Sequence, residues 1–463
     1  MEPGFAVYFW AFLLLYGVAL YVLSPKARTV AGFFRGADDK GRAVSPWLLT
    51  SSIFISWIFA KSVTNAANLG AAYGIVGGLA YASYWLSIPV AGLTIYWLRT
   101  RDGATGLVPY LIAKYGRPAA AAFSLAILIR LYNEIWSNTS VVGEYFGRPG
   151  DASFITAALV FTGLTLAYSI KGGLRSSIFT DFIQAIIFVF FLALVLLFVL
   201  PQHDVGDFAR AGEFRLNAGV DLLLVALLQV LSYPFHDPVL TDRGFLTNER
   251  TMLRAFIVAG VLGFAAILAF SLIGVHAYLV GLGATSNVPG VVAQGFGLAA
   301  LFATTVIMIS SAGSTLDSTF ASLSKNFARE LPLLVRRANV SSIRAGIWVM
   351  VAFAALGNLP MFFGADILKA TTVSGTMVMG LAPVFLLAPW VRYSPWSFHL
   401  SFWTGLALGV LQAAGLLPAA WAIGEGKYAL LLGANAYGLV LCTAGFLLPL
   451  AFPAVRLRVR QHA

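Results

Sequence analysis

The stretch SSIFISWIFAKSVTNAANLGAAYG, residues 51–74, is long enough to cross a bilayer, but polar side chains interrupt its apolar run. The interruptions include Ser56, Lys61, Thr64 and Asn65. A helix facing lipid would not carry them, because a charged group in hydrocarbon costs several kcal/mol unless it is paired or hydrated. We therefore interpret this stretch as a helix that lines a polar cavity within a bundle.

A second interrupted run is LLQVLSYPFHDPVLTDR, residues 227–243, in which Pro234 and Pro238 bracket His236 and Asp237. Proline removes a backbone donor and clashes with the preceding turn, so the sequence predicts a broken helix here. Irregular backbone at membrane depth is tolerated only where it is buried in protein or lines a cavity. Two interrupted spans, five apart in order, are typical of carriers built from inverted five-helix repeats.

The composition indicates one membrane domain covering residues 1–463. Hydrophobic residues make up 59% of the chain and charged residues 11%, against about 45–50% and about 25% in soluble domains. The net charge of +11 lies mostly in short loops, which favours membrane topology over nucleic-acid binding. A single cysteine excludes an internal disulfide, and no Cys/His cluster has metal-ligand spacing, so we predict no cofactor.

Apolar runs of spanning length predict about thirteen transmembrane helices. Their approximate positions are 5–23, 47–70, 77–98, 119–145, 152–170, 179–200, 220–238, 252–283, 297–324, 345–363, 367–391, 398–422 and 428–452. We interpret the first helix as retained and peripheral, 47–200 as the first repeat, 220–391 as the second, and 398–452 as two accessory helices. Loops assigned to one side hold most of the 30 lysines and arginines, including Arg243, Arg250 and Arg254. The positive-inside rule then predicts a multi-pass cell-membrane protein with an external N-terminus and a cytoplasmic C-terminus.

Ionisable residues within the predicted spans are candidate functional groups. They are Lys61, Arg130, Glu134, Asp181, Asp237 and Asp317. Arg130 and Glu134 are four residues apart on one helix and are expected to neutralise each other locally. Lys61 has no such neighbour, so both structural pairing and ligand contact remain open for it.

The ninth span contains ISSAGSTLDSTFASLSKNF, residues 309–327, a dense row of hydroxyls. Hydroxyls commonly help membrane helices to pack. The adjacent pair Ser310 and Ser311, followed by Ser314 and Asp317, also offers the hard oxygen ligands that can replace the hydration shell of an alkali cation.

Three segments resemble the sodium/solute symporter family, which includes sodium/glucose, sodium/proline and sodium/sialic acid carriers. They are YSIKGGLRSSIFTDFIQ at 168–184, ISSAGSTLDS at 309–318 and SWIFA at 56–60. The resemblance implies an all-α integral membrane fold with a leucine-transporter-type core of inverted five-helix repeats. It also implies sodium-coupled uptake (symport) of a small polar solute by alternating access.

The resemblance also implies ion sites. Na⁺ would be the only metal, bound by the side chains of Ser310 and Ser311 and by the backbone carbonyls of Ile55, Ile58 and Ile307. Asp181 with Ser314 would form a second cation site or an inner exit path, although a charge near a helix N-terminus at the cytoplasmic face is an alternative for Asp181. Phe59 and Gly313 replace hydroxyl residues of the family, which leaves the number of coupled sodium ions open.

Candidate solute contacts are Lys61, Ser62, Asn65, Glu134, His236 and Asp237, whose mixed charge favours a zwitterion or small organic acid. Proton coupling in the same fold is an alternative, in which Asp181, Asp317 or Glu134 would titrate. A transporter-like receptor that senses solute without moving it is a third possibility. No nucleophile with a paired base is readable and GxSxG is absent, so we predict that the protein is not an enzyme.

Overall fold

The computed structural model describes residues 3–283, 285–335, 342–363 and 374–451, and every regular element within these ranges is helical. Six of the basic residues that enter the topology prediction lie outside the described residues: Arg336, Arg337, Lys369, Arg456, Arg458 and Arg460. The start of the predicted span 367–391 also lies outside them.

The helices of the first half are α1 (Pro3–Leu23), α2 (Val30–Arg35), α3 (Pro46–Ser56), α4 (Ala60–Tyr73), α5 (Ile75–Ala82), α6 (Ser87–Asp102), α7 (Leu107–Tyr115), α8 (Arg117–Glu144), α9 (Ala152–Gly172), α10 (Leu174–Val199) and α11 (Val205–Arg210). Those of the second half are α12 (Val220–Gln229), α13 (Pro238–Thr241), α14 (Glu249–Leu279), α15 (Val288–Gly295), α16 (Leu298–Lys325), α17 (Leu331–Leu334), α18 (Ile343–Leu356), α19 (Leu381–Leu386), α20 (Pro395–Ala413) and α21 (Ala429–Ala451).

Nine helices in the described ranges are long and apolar enough to cross a membrane, or ten if the bent pair α3–α4 forms one span. The predicted count of thirteen is not confirmed. The seventh predicted span is divided at its prolines, leaving α12 with ten residues, and the eleventh begins outside the described residues. The nineteen-residue α20 is not among the nine.

The predicted interruption of the second span is confirmed by a 56° bend between α3 and α4. The helix stops at Ser56, and Phe59 adopts an extended conformation with φ −66° and ψ 142°. The new helix begins at Ala60, whose backbone N–H donates to Asn138 Oδ1 of α8 at 3.0 Å. This side chain satisfies one of the backbone donors that a helix start leaves unpaired.

The predicted break of the seventh span is also confirmed. After α12 the chain forms a short 3₁₀ helix, Tyr233–His236, and then reaches Asp237 in an extended conformation. Asp237 Oδ1 accepts a hydrogen bond from the backbone N–H of Val239 at 3.0 Å, so this side chain caps α13 directly after the break.

Close helix packing brings the two halves together around these breaks. α14 packs along α4 and α3, while α16 packs along α10 and α8. At Gly70 and Gly274, a Cβ would overlap the backbone of the opposing helix, so glycine is what permits α4 and α14 to approach so closely. The broken segments therefore lie in the interior of the bundle.

Candidate functional site

A cavity that is partly open to solvent begins at the break between α3 and α4. Aromatic rings dominate its lining, and the polar side chains that reach it include Lys61 and Ser62. The lining residues are Trp57, Phe59, Lys61, Ser62, Leu69, Tyr81, Tyr84, Trp85, Leu222, Tyr233 and Tyr428.

Behind the cavity wall, four buried charges form one network. Lys61 Nζ donates to Glu134 Oε1 at 2.6 Å and to Ser137 Oγ at 3.2 Å. Arg130 pairs with the same Glu134 carboxylate, which confirms the expected local pairing. Arg130 Nη2 also donates to Asp237 Oδ2 at 3.0 Å. Two cations thus face two carboxylates, and the network has no net charge.

The six predicted solute contacts fall into three groups. Lys61 and Ser62 reach the cavity, whereas Glu134 and Asp237 hold the charge network behind it. Asn65 donates to the hydroxyl of Tyr81, a ring of the cavity wall, at 3.2 Å. His236 Nδ1 lies 2.6 Å from the carbonyl of Tyr233, another ring of the wall. The first turn of α4 thus contributes the polar groups that can contact a solute directly.

The hydroxyl row of α16 contacts the end of α3 through Thr315. Ser311 Oγ donates to Ile307 O at 2.8 Å, and Ser310 donates in the same way to Val306 O. Thr315 Oγ1, one turn further on, lies 3.5 Å from Ser56 O at the end of α3. Thr315 therefore lies next to the backbone of the broken span, where carbonyls leave the helical pattern.

Asp181 and Ser314 are also brought together, since Ser314 Oγ donates to Asp181 Oδ1 at 2.5 Å. Asp181 is fully buried well within α10, not at the helix start. Its other oxygen accepts hydrogen bonds from Ser52 Oγ at 2.5 Å and from Arg243 Nη2 at 3.0 Å. The prediction of Arg243 as a loop residue is wrong, because its side chain is fully buried in this ion pair.

Asp317, one turn beyond Ser314, does not contact the Asp181 oxygens directly. It accepts hydrogen bonds from Ser177 at 2.7 Å and from Thr180 at 2.8 Å, both on α10.

Gly313 has a packing explanation: a Cβ there would lie 2.5 Å from Tyr16 Oη and 2.8 Å from Gln184 Nε2. The position leaves no room for the hydroxyl side chain that the family resemblance leads us to expect.

A further ionic cluster lies at the end of α16. Lys325 Nζ is 2.5 Å from Asp242 Oδ1 and 3.0 Å from Glu330 Oε1. Burial raises the pKa of Asp242 to about 6, although the Lys325 ammonium opposes that shift. The cluster fastens the segment after α13 to the end of α16.

Sequence reasoning missed the aromatic wall and the buried arginine. The signal for the wall was YASYW at 81–85, which places Tyr81, Tyr84 and Trp85 on one helical face. The signal for Arg243 was its position shortly after a proline-broken span, where a cation can still point into the bundle.

Residues 40–269 match the family model described as the sodium:solute symporter family. This segment, about half of the chain, belongs to that family. The match includes the bent span α3–α4, the Asp181 region of α10 and the second break, while the hydroxyl row of α16 lies beyond it.

Curated relatives support this assignment. The chain is 23% identical over 228 residues to the human sodium/myo-inositol cotransporter and 26% identical over 210 residues to the rabbit (Oryctolagus cuniculus) sodium/glucose cotransporter 1. These alignments cover 48% and 45% of this chain. They span only 30% and 31% of the length of those relatives.

Solved structures show the same fold. A Na⁺-coupled sialic acid symporter, in a substrate-bound outward-open state, superposes with a TM-score of 0.72, 15% identity and coverage of 97% of both chains. A nucleobase-cation-symport-1 family transporter gives a TM-score of 0.58 and 12% identity, covering 92% of this chain and 97% of its own. The chain is thus a multi-pass membrane protein with the leucine-transporter-type helical fold, and its family and neighbours are transporters and not enzymes.

Proposed function

We propose that this protein is a sodium-coupled symporter that moves a small polar solute into the cell by alternating access. The observation that carries the proposal is the contact between the α16 hydroxyl row and the broken span α3–α4, in which Thr315 Oγ1 lies 3.5 Å from Ser56 O. Broken helices of this kind expose carbonyls that can coordinate sodium near the middle of the membrane.

In the proposed sodium site, Ser310 and Ser311 supply hydroxyl oxygens, and Ile55, Ile58 and Ile307 supply backbone carbonyls. Both hydroxyls donate hydrogen bonds to carbonyls of their own helix, so the lone pairs of the hydroxyl oxygens remain free to face a cation. Sodium is the cotransported ion in this proposal, and no cofactor is invoked.

For Asp181 and Ser314 we propose the inner exit path and not a second sodium site. The Asp181 carboxylate is already neutralised by Arg243 and accepts hydrogen bonds from Ser52 and Ser314. A sodium ion there would have to compete with a buried guanidinium for the same oxygens.

The proposed solute binds in the aromatic cavity beside Lys61, and we favour a zwitterion or small organic acid. An ammonium has three donors, and Lys61 gives two of them to Glu134 and Ser137. The third can donate to a carboxylate of the solute, because the Lys61 side chain reaches the cavity.

Coupling would follow if sodium stabilises the outward-facing state that binds solute, because a ligand shifts an equilibrium only through different affinities for its states. The membrane potential contributes about 2.3 kcal/mol per sodium charge per 100 mV. We place the protein in the cell membrane, with the N-terminus outside and the C-terminus in the cytoplasm.

The first test is the thermal stability of purified protein in sodium against potassium at equal ionic strength, with and without a solute panel. Sodium stabilisation that grows with one solute supports coupling, because reciprocal linkage requires it. That solute is then offered to proteoliposomes with an inward sodium gradient. Uptake that follows a proton gradient and ignores sodium would instead support the proton-coupled alternative, and binding without uptake would support the receptor alternative.

A further inference from the structure

Five aromatic side chains of the cavity lining form a closed circuit of neighbouring rings, and we call them the aromatic cage. Successive ring centroids lie 6.2 Å apart from Trp57 to Trp85, 6.0 Å from Trp85 to Tyr81, and 5.7 Å from Tyr81 to Tyr84. The circuit closes through Tyr233, at 6.1 Å from Tyr84 and 6.2 Å from Trp57. All five side chains line the cavity.

The dimensions of the cage suit a small cationic group. A regular pentagon with sides of about 6 Å has its centre roughly 5 Å from each corner, within the ~6 Å at which an aromatic face attracts a cation. Adjacent rings make interplanar angles between 57° and 77°. These angles are close to the ~72° between neighbouring walls of a five-sided box, the arrangement of aromatic cages that bind quaternary ammonium.

Most polar groups of the cage are already hydrogen-bonded, although Trp85 Nε1 has no partner among the described residues. The hydroxyl of Tyr81 lies between Asn65 and Ser62, each at 3.2 Å, and that of Tyr84 donates to Gln229 Oε1 at 2.9 Å. Trp57 Nε1 donates to Asp237 Oδ2 at 2.9 Å. A solute rich in hydroxyls would leave many of its own groups without partners on these walls, which is unfavourable in a desolvated site.

A second feature of the cavity, the Lys61 ammonium, can bind a carboxylate at the opposite end of the solute. Lys61 reaches the cavity beside the cage and keeps one donor for a carboxylate. The network of Lys61, Arg130, Glu134 and Asp237 is neutral, so a solute with both charges adds no net charge to the interior. A simple anion or cation would add an uncompensated one.

We propose that the solute is a zwitterion whose positive end is an alkylated ammonium held in the aromatic cage and whose carboxylate binds Lys61. This inference rests on the proposed function for the location of the solute, but it names a chemical class that the sodium site does not determine. Alkylation matters because methyl groups pack against the apolar walls of the cage. They also replace N–H donors that would find no hydrogen-bond acceptor there.

The test compares four probes on purified wild-type protein: trimethylglycine, glycine, glucose, and 3,3-dimethylbutanoate, in which carbon replaces the charged nitrogen. Binding is measured by calorimetry and by melting temperature. We expect trimethylglycine to bind at least about tenfold more tightly than each of the other three, since only it combines the cation with the methyl groups. Equal binding of 3,3-dimethylbutanoate would overturn the proposal, because it would show an apolar pocket with no use for the charge. Binding of glucose without trimethylglycine would also overturn it.

A matched pair of variants tests the cage itself. Tyr84→Leu removes one wall and should weaken trimethylglycine binding about 3- to 30-fold, while Tyr84→Phe keeps the ring and should stay within about twofold. Equal weakening in both variants would assign the effect to the lost hydroxyl and overturn the cage. Sodium stabilisation measured on both variants confirms that they remain folded.

Repeating the binding and stability measurements in sodium and in potassium separates this inference from the proposed function. Trimethylglycine binding that is equally tight in both salts supports the cage and contradicts sodium coupling. Stabilisation by sodium with no response to trimethylglycine contradicts the cage and leaves sodium coupling intact.

Discussion

Asp181 and Arg243 form an ion pair in which both side chains are fully buried, with Arg243 Nη2 3.0 Å from Asp181 Oδ2. Ser52 Oγ joins them, since it donates to Asp181 and accepts from Arg243 Nε at 2.8 Å. The pair connects α10, α3 and the segment after α13, so three parts of the bundle depend on one set of charges.

Removing one partner should be more damaging than removing both. Asp181→Asn or Arg243→Gln should each lower the free energy of unfolding by about 3–5 kcal/mol, because each leaves a buried group without its countercharge. The double variant should lose clearly less than the sum. Denaturant unfolding in detergent measures all three, with Asp38→Asn at the exposed Asp38–Arg42 pair as the nearly silent control. Additive losses would mean that the two residues do not interact energetically.

Ser310→Ala combined with Ser311→Ala should abolish stabilisation by sodium while leaving the protein folded. Both hydroxyls donate only to carbonyls of α16, so alanine removes no hydrogen bond between helices. Melting temperature as a function of sodium concentration provides the measurement. Thr304→Val is the control, since Thr304 makes the same kind of bond, to Ala300 O at 2.9 Å, earlier on the helix. A normal sodium response in the double variant would refute the site assignment.

Lys61→Gln should weaken solute binding at least about tenfold and sodium binding far less, because a charge-assisted bond to the solute is lost. Glu134 retains Arg130 as its partner in this variant, so no carboxylate is left without a cation. Calorimetric titration with sodium and with solute gives both affinities. Ser137→Ala removes the other Lys61 contact together with a bond to Asn133 O of the same helix at 2.6 Å, and it should leave both affinities nearly unchanged. Equal losses for the two ligands in Lys61→Gln would indicate a purely structural ion pair.

Gly313→Ala should lower the free energy of unfolding by about 1–3 kcal/mol, the usual effect of overpacking. The new Cβ would be forced against Tyr16 Oη and Gln184 Nε2, which are hydrogen-bonded to each other at 2.7 Å. Gly163→Ala on α9 is the matched control, since no atom of the described residues outside its own helix turn lies within 4 Å of its added Cβ. That substitution should be neutral or slightly stabilising, because alanine favours the helix. Similar losses in both variants would argue against close packing at Gly313.

The raised pKa of Asp242 predicts that the stability of the protein depends on pH with a definite sign. Its pKa is raised to about 6 in the folded protein, so the folded state binds more protons than the unfolded state between about pH 4 and pH 6. Stability should therefore fall as pH rises through this window, and Asp242→Asn should flatten that part of the profile. Melting temperatures from pH 4 to pH 7 test this, and an unchanged slope in the variant would contradict the assignment.

The sequence predicts the broken spans well because their causes are local. Polar residues after Phe59 and the two prolines around His236 interrupt the helices where they occur. The pairing of Arg130 with Glu134 was predictable for the same reason, since four residues make one helical turn.

Long-range partners were not predictable from spacing. Arg243 reads as a loop cation because its carboxylate partner lies 62 residues earlier in the chain. The cage is likewise assembled from separate segments, with Trp57 and Tyr233 coming from the two breaks and the other rings from 81–85. Such contacts depend on how the helices pack, which one sequence does not specify.

At the break between α3 and α4, neighbouring peptide units have two proposed roles, one in sodium binding and one in the aromatic cage. Ile55 and Ile58, whose carbonyls are the proposed sodium ligands, directly flank the turn that carries Trp57 into the aromatic cage and against Asp237. An ion bound to these carbonyls would therefore lie close in the chain to the Trp57 ring of the cage. Communication between ion and solute would then need no relay across the protein, and lengthening the turn by one residue would disturb the binding of both ligands.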